Sequence, residues 1–96
     1  MEVKTVKQVK MKDVIDHFLL KGEKWLSEFL NGVADSSAND GEQLYTFENR
    51  EDLVFNIYEN LDHIEDEKDA DNEAERLVKL LEKEIPDLFE VQFVCW

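Results

Sequence analysis

The chain has little of what interrupts or staples a fold: one cysteine, one proline and three glycines in 96 residues. A single cysteine, Cys95, cannot close an internal disulfide, which excludes a disulfide-stapled secreted scaffold and fits a reducing cytoplasm. So little glycine and proline excludes a low-complexity chain. No apolar run approaches the roughly 20 residues needed to span a bilayer. The first ten residues, MEVKTVKQVK, carry lysines but no apolar centre, so no secretory signal is expected. Positive charge is scarce as well: 11 basic residues face 24 acidic ones, for a net charge of −13. That deficit argues against direct nucleic-acid binding, which needs a basic face for the phosphates. It argues equally against an anionic membrane surface. Basic proteins are the partners left. Adaptation to salt is the bland alternative, but nine of the eleven basic residues are lysine, which a salt-adapted surface is expected to shed. Sequence motifs of catalysis are missing too: there is no G-x-G-x-x-G, P-loop, H-E-x-x-H or G-x-S-x-G. The expectation is no enzyme and no cofactor.

What is present is enough to fold. Hydrophobic residues make up 43% of the chain, and this length suits a single domain, residues 1–96, with one modest core. The expected class is α+β: three helices packed on a small antiparallel sheet of two to three short strands. The Val- and Thr-rich start reads as a short edge strand or arm, with lysines that discourage unwanted pairing. DVIDHFLLKGEKWLSEFLNG reads as one long helix, capped by Asp13 and ended by Asn31-Gly32. Its apolar residues Val14, Ile15, Phe18, Leu19, Trp25, Leu26, Phe29 and Leu30 share an arc of about 160°, and the phase holds across Gly22. Gly22, inside that arc, would let another backbone come close. VADSSANDGE reads as a loop and Gln43 to Phe47 as a short strand. Asn49 offers an N-cap, with Asp52 three residues on, for a second helix through Asp66. A turn at Lys68 to Asp71 leads to a third helix from Asn72, stopped by Pro86. LFEVQFVCW alternates and reads as a terminal strand, with Cys95 a buried, inert thiol.

Charge is unevenly placed. Residues 1–25 hold six lysines and four acids, whereas residues 26–96 hold five basic and twenty acidic groups. On the second helix, Asp52, Glu59, Asp62 and Asp66 fall within about 40° of Glu48, with Leu53, Val54, Ile57, Leu61 and Ile64 opposite. Glu51, Glu65 and Glu67 thicken this stripe. A charged outer face is ordinary for an amphipathic helix, and a solvated face is the plain reading. Two details favour a binding surface. First, nothing basic lies between Arg50 and Lys68, whereas the third helix sets Glu75 four residues before Lys79, with Arg76 and Lys83 nearby. Second, Phe55 lies about 20° from the middle of the stripe. It is either core, covered by another element, or an apolar anchor within a charged rim. Phe55, Trp25 and Trp96 are also the candidates for a homodimer contact.

Metal sites are not expected. Glu59, His63 and Glu67 stand at i, i+4 and i+8 and could present ligands to a divalent ion, but such sets arise easily on a carboxylate-rich helix. DADNEAE resembles the start of a calcium loop, yet its sixth position is Ala74 and its twelfth Leu80, which breaks the pattern.

In size, charge and the stripe Asp52, Glu59, Asp62, Asp66, the chain resembles the small acidic proteins, often phage-encoded, that mimic DNA in antirestriction and related inhibition. No sequence motif carries the resemblance, which covers the middle third of the chain. It implies a non-enzymatic inhibitor acting in the host cytoplasm on the basic site of a nucleic-acid-binding protein. The contact would be made through Glu48, Asp52, Phe55, Glu59, Asp62, Glu65 and Asp66. The alternative is an immunity protein or antitoxin that neutralises a basic toxin or nuclease.

Overall fold

The computed structural model describes residues 7–96. The first six residues of the expected N-terminal strand lie outside the described residues. Seven elements follow in order: β1 (Gln8–Lys10), α1 (Met11–Leu20), α2 (Lys24–Asn39), β2 (Leu44–Tyr45), α3 (Arg50–Asn60), α4 (Glu67–Glu84) and β3 (Gln92–Val94). The class is α+β, with four helices rather than three among the described residues. They fall into two compact units. One holds residues up to Thr46 together with Glu90–Trp96, and the other is Phe47–Phe89, inserted between β2 and β3.

The extra helix in the first unit comes from its glycines. The phase of the apolar residues continues past Gly22, but the helix does not. Gly22 has φ +84°, a left-handed conformation that costs glycine no Cβ clash. Its N–H donates to the Leu19 carbonyl (3.1 Å), and the Glu23 N–H donates to the Phe18 carbonyl (2.9 Å). This pair of bonds is a Schellman motif, which satisfies carbonyls that a helix end leaves open. The expected close backbone approach at Gly22 is absent, since an added Cβ would meet nothing within 4 Å. Its role is conformational.

Helix α2 then runs through the expected stop at Asn31-Gly32 and through most of the expected loop. It ends at a second Schellman motif. There Gly41, with φ +82°, donates to the Ala38 carbonyl, and Glu42 donates to that of Ser37 (3.0 and 2.9 Å). The Ser37 hydroxyl donates back to the Glu42 carbonyl at 3.2 Å, so this buried serine closes the turn from both sides. Asp13 is not a cap either: the helix begins at Met11, with Lys10 as N-cap. Beginning there buries Met11 together with Val14 and Phe18, at i, i+3 and i+7 on one face.

The sheet in this unit is mixed rather than antiparallel, with strand order β1-β3-β2. β1 runs parallel to β3, pairing Val9 with Phe93, and β2 runs antiparallel to it, pairing Tyr45 with Phe93. Central Phe93 is buried, and β1 occupies an edge, as expected. α1 packs on α2, and the two helices contact β1 and β2 respectively. Leu26, Leu30, Ala34, Val91 and Cys95 complete the buried hydrophobic set among the described residues of this unit, and the Cys95 thiol donates weakly to the Phe93 carbonyl. Trp25 stacks on Phe29 at 5.6 Å. Trp96 is half exposed, its indole N–H donating to Asp35 at 2.6 Å.

The second unit is a helical hairpin of α3 and α4. Asn49 caps α3 as expected: its side-chain oxygen accepts from the Asp52 N–H (2.9 Å), and its amide nitrogen donates to the Asp52 carboxylate (3.1 Å). The helix ends at Asn60 rather than Asp66, six residues earlier than its apolar pattern suggests. Electrostatics favours that stop. A helix continued to Asp66 would crowd Glu59, Asp62, Glu65 and Asp66 at its negative C-terminal end. Breaking the chain instead places Asp66, Glu67 and Asp69 at the positive start of α4. Asp66 becomes the N-cap, accepting from the N–H groups of Lys68 and Asp69 at 2.9 and 3.1 Å. The Asn60 side chain completes the stop by donating to the Asn56 carbonyl at 2.7 Å. Consequently α4 begins at Glu67, not Asn72, and the expected turn at 68–71 is its first coil. It closes before Pro86, as expected. Ala70, Ala74, Leu77, Val78 and Leu81 of α4 are buried, as are Leu53 and Ile57 of α3 and Leu61 just beyond it.

Candidate functional site

Unit by unit, the charge divides sharply. Residues 47–89 hold fifteen carboxylates and five basic side chains, a net of −10, and the rest of the chain carries only −3. The basic groups of the hairpin are partly committed to its own acids. Arg50 forks onto Glu75, with Nη2 at 2.6 Å and Nη1 at 3.3 Å, and its Nε donates to Glu82 at 3.1 Å. This clamp ties the start of α3 to Glu75 in the middle of α4 and to Glu82 in its last turn, as the antiparallel arrangement of the two helices allows. The hydrogen bond from Arg50 holds the Glu75 carboxyl below its ordinary value, against a smaller opposing effect of desolvation. The two carboxylates in turn raise the Arg50 guanidinium further. Arg76 pairs with Glu73 on α4 itself. Lys79 adds a smaller coulombic effect on Glu75; the direct contact goes to Arg50, because a planar guanidinium meets a carboxylate in two places where an ammonium meets it in one.

The expected stripe does not lie on one helix. Asp52 and Glu59 remain on one side of α3, seven residues apart. Glu48 precedes the helix, Asp62 sits in the turn after it, Glu65 lies in the non-helical link, and Asp66 is the cap of α4. All six are exposed. What the structure brings together is a run of acids around the tip of the hairpin: Glu59, Asp62, Glu65, Asp66, Glu67, Asp69 and Asp71. Lys68 is the one lysine or arginine among them.

Phe55 is not core. It is 57% exposed, and it lines an open groove of about 550 Å³ with Glu51, Val54, Tyr58, Glu67, Lys68 and Asp71. Glu51, Val54, Phe55 and Tyr58 stand at i, i+3, i+4 and i+7, one face of α3. Glu67, Lys68 and Asp71 come from the first turns of α4. Tyr58, Lys68 and Asp71 were not singled out by sequence reasoning as binding residues. The signal for Tyr58 was its i+3 spacing from Phe55. The α4 residues carried none, because that segment reads as a turn.

The metal-ligand set Glu59, His63, Glu67 is dismantled by the break: Glu59 is on α3, His63 in the turn, and Glu67 at the start of α4. Among the described residues, no group of three or more His, Cys, Asp or Glu side chains is placed to hold a metal ion. Nor is any helix among them long and apolar enough to cross a membrane.

Compared with known proteins, the chain matches no family model, no curated protein and no solved structure.

Proposed function

We propose that the protein is a non-enzymatic acidic inhibitor that occupies the basic site of a nucleic-acid-binding protein, presenting carboxylates where the nucleic acid presents phosphates. The observation that carries this reading is the acid run at the hairpin tip, residues 59–71, in which Lys68 is the one lysine or arginine. Arg50 and Arg76 are spent within the hairpin, and Glu59, Asp62, Glu65 and Glu67 stay exposed. A surface shaped by solubility alone would be expected to intersperse lysine, as each favourable pair adds a few tenths of a kcal/mol. A net charge of −10 on 43 residues instead costs stability through self-repulsion. That cost is offset when a cationic cleft closes on it, and the same charge steers the encounter.

The contacts would be made by Glu48, Asp52, Phe55, Glu59, Asp62, Glu65 and Asp66, acting in the cytoplasm on a basic partner. The test is capture of partners from a lysate by the tagged protein at low and high salt, with DNA added as competitor. Recovery of a basic nucleic-acid-binding protein, lost on adding DNA and absent for Glu59→Lys/Asp62→Lys, supports the reading. Neither substituted residue is a cap or buried, so the circular dichroism of the variant should match the parent. Unchanged affinity in the variant refutes the proposal. A captured toxin that still binds DNA in the complex would replace it with the immunity-protein reading.

A further inference from the structure

The hairpin groove differs in chemistry from the acid run at the tip. Its lining combines aromatic and aliphatic side chains, Val54, Phe55 and Tyr58, with three carboxylates, Glu51, Glu67 and Asp71, and one ammonium, Lys68. An aromatic side chain left 57% exposed in a groove that three carboxylates line is poorly explained by solubility. It fits one kind of occupant well. A guanidinium is planar and weakly hydrated, stacks on aromatic faces, and forks onto carboxylates. An ammonium is compact and strongly hydrated and gains less from a ring face. The net charge of −2 on the lining residues matches a segment bearing two cations.

We infer that the groove between α3 and α4 is a docking site for an arginine-bearing segment of a basic protein, with Phe55 and Tyr58 as stacking surfaces and Glu51, Glu67 and Asp71 as acceptors. This deepens the proposed inhibitor function, on which its biological meaning rests, by naming the side chain that the inhibitor grips. Lys68 is the groove's own competing cation and limits affinity for an incoming one.

The experiment titrates the full chain with a twelve-residue peptide carrying four arginines spaced by alanine and serine, and with its all-lysine counterpart. Binding is followed by isothermal titration calorimetry and by backbone amide shifts. The arginine peptide is expected to bind more tightly, with shifts concentrated at residues 51–58 and 67–71. Phe55→Ala should weaken it by about 2- to 5-fold, the range of an exposed cation–π contact. Lys68→Gln should strengthen it. Asp62→Lys, in the turn beyond α3 and outside the groove, should weaken both peptides to the same degree through long-range charge. Equal binding of the two peptides, shifts spread over every acidic segment, or an unaltered affinity in Phe55→Ala would each overturn the groove. Phe55 is exposed, so its truncation leaves the helix pair intact. The two readings fail separately. A groove that ignores arginine while DNA still displaces the captured partner sinks only this inference. A groove that grips arginine while DNA fails to compete sinks only the inhibitor reading.

Discussion

Replacing Gly22 and Gly32 separately by alanine should shift stability in opposite directions. Gly22 holds φ +84° at the Schellman turn, and alanine there pays about 1–2 kcal/mol for a left-handed backbone. Part of that is offset by the lower entropy of the unfolded alanine chain, which leaves a net loss near 1 kcal/mol. No neighbouring atom lies within 4 Å of the added methyl, so sterics adds nothing and the effect is purely conformational. Gly32 sits inside α2, again with nothing within 4 Å. Alanine there should gain roughly 1 kcal/mol of helix propensity. The variants should therefore differ by about 2 kcal/mol. With a urea m-value of about 1.5 kcal/mol/M, their midpoints would lie about 1.3 M apart. Both tryptophans, Trp25 and Trp96, belong to the same unit as these glycines, so tryptophan fluorescence in urea reports on the right part of the molecule. A continuous helix ending at Gly32 demands the reverse order: Gly22→Ala stabilising and Gly32→Ala destabilising. That outcome would refute the break between α1 and α2.

Two further predictions concern the hairpin. Asp66→Ala should destabilise it by about 1 kcal/mol, because the side chain accepts two backbone N–H groups at the start of α4, whereas Asp66→Ser should retain most of that stability. Thermal unfolding by circular dichroism separates the two, and an unchanged midpoint in Asp66→Ala would show that the cap contributes nothing. Arg50→Gln should change the pH dependence of unfolding. The Glu75 carboxyl is lowered from about 4.5 in the folded state. Its contribution is therefore complete above that value and disappears as pH falls through the lower folded-state value. Denaturant midpoints measured from pH 6 down to pH 3 should fall less steeply in the variant than in the parent. Parallel curves would refute the clamp.

Residues that act locally were legible in the sequence. The Asn49 cap works through atoms three residues apart, and α4 buries its apolar face at the 3.6-residue spacing of its Ala and Leu positions. Pro86 ends α4 because it has no N–H and cannot continue the helix. The acid-rich character of the middle of the chain, and the anomaly of Phe55 among carboxylates, could also be read without coordinates. The shape of the candidate site could not. An apolar phase that runs across a break looks the same as one within a continuous helix, so the pattern alone makes both the first expected helix and the acid stripe longer than the elements that form.

Composition, spacing and side-chain chemistry determined the charge excess, the α+β character and the Asn49 cap, because each depends on overall composition or on groups within a turn of one another. Tertiary structure decided the rest. Whether a glycine lies within a helix or ends it depends on how α1 and α2 fold back onto each other. Whether β1 meets β3 parallel or antiparallel depends on strands more than eighty residues apart. The exposure of Phe55, and its meeting with Glu67 and Asp71, required α4 to return alongside α3. These are pairings across the chain, and no local pattern encodes them.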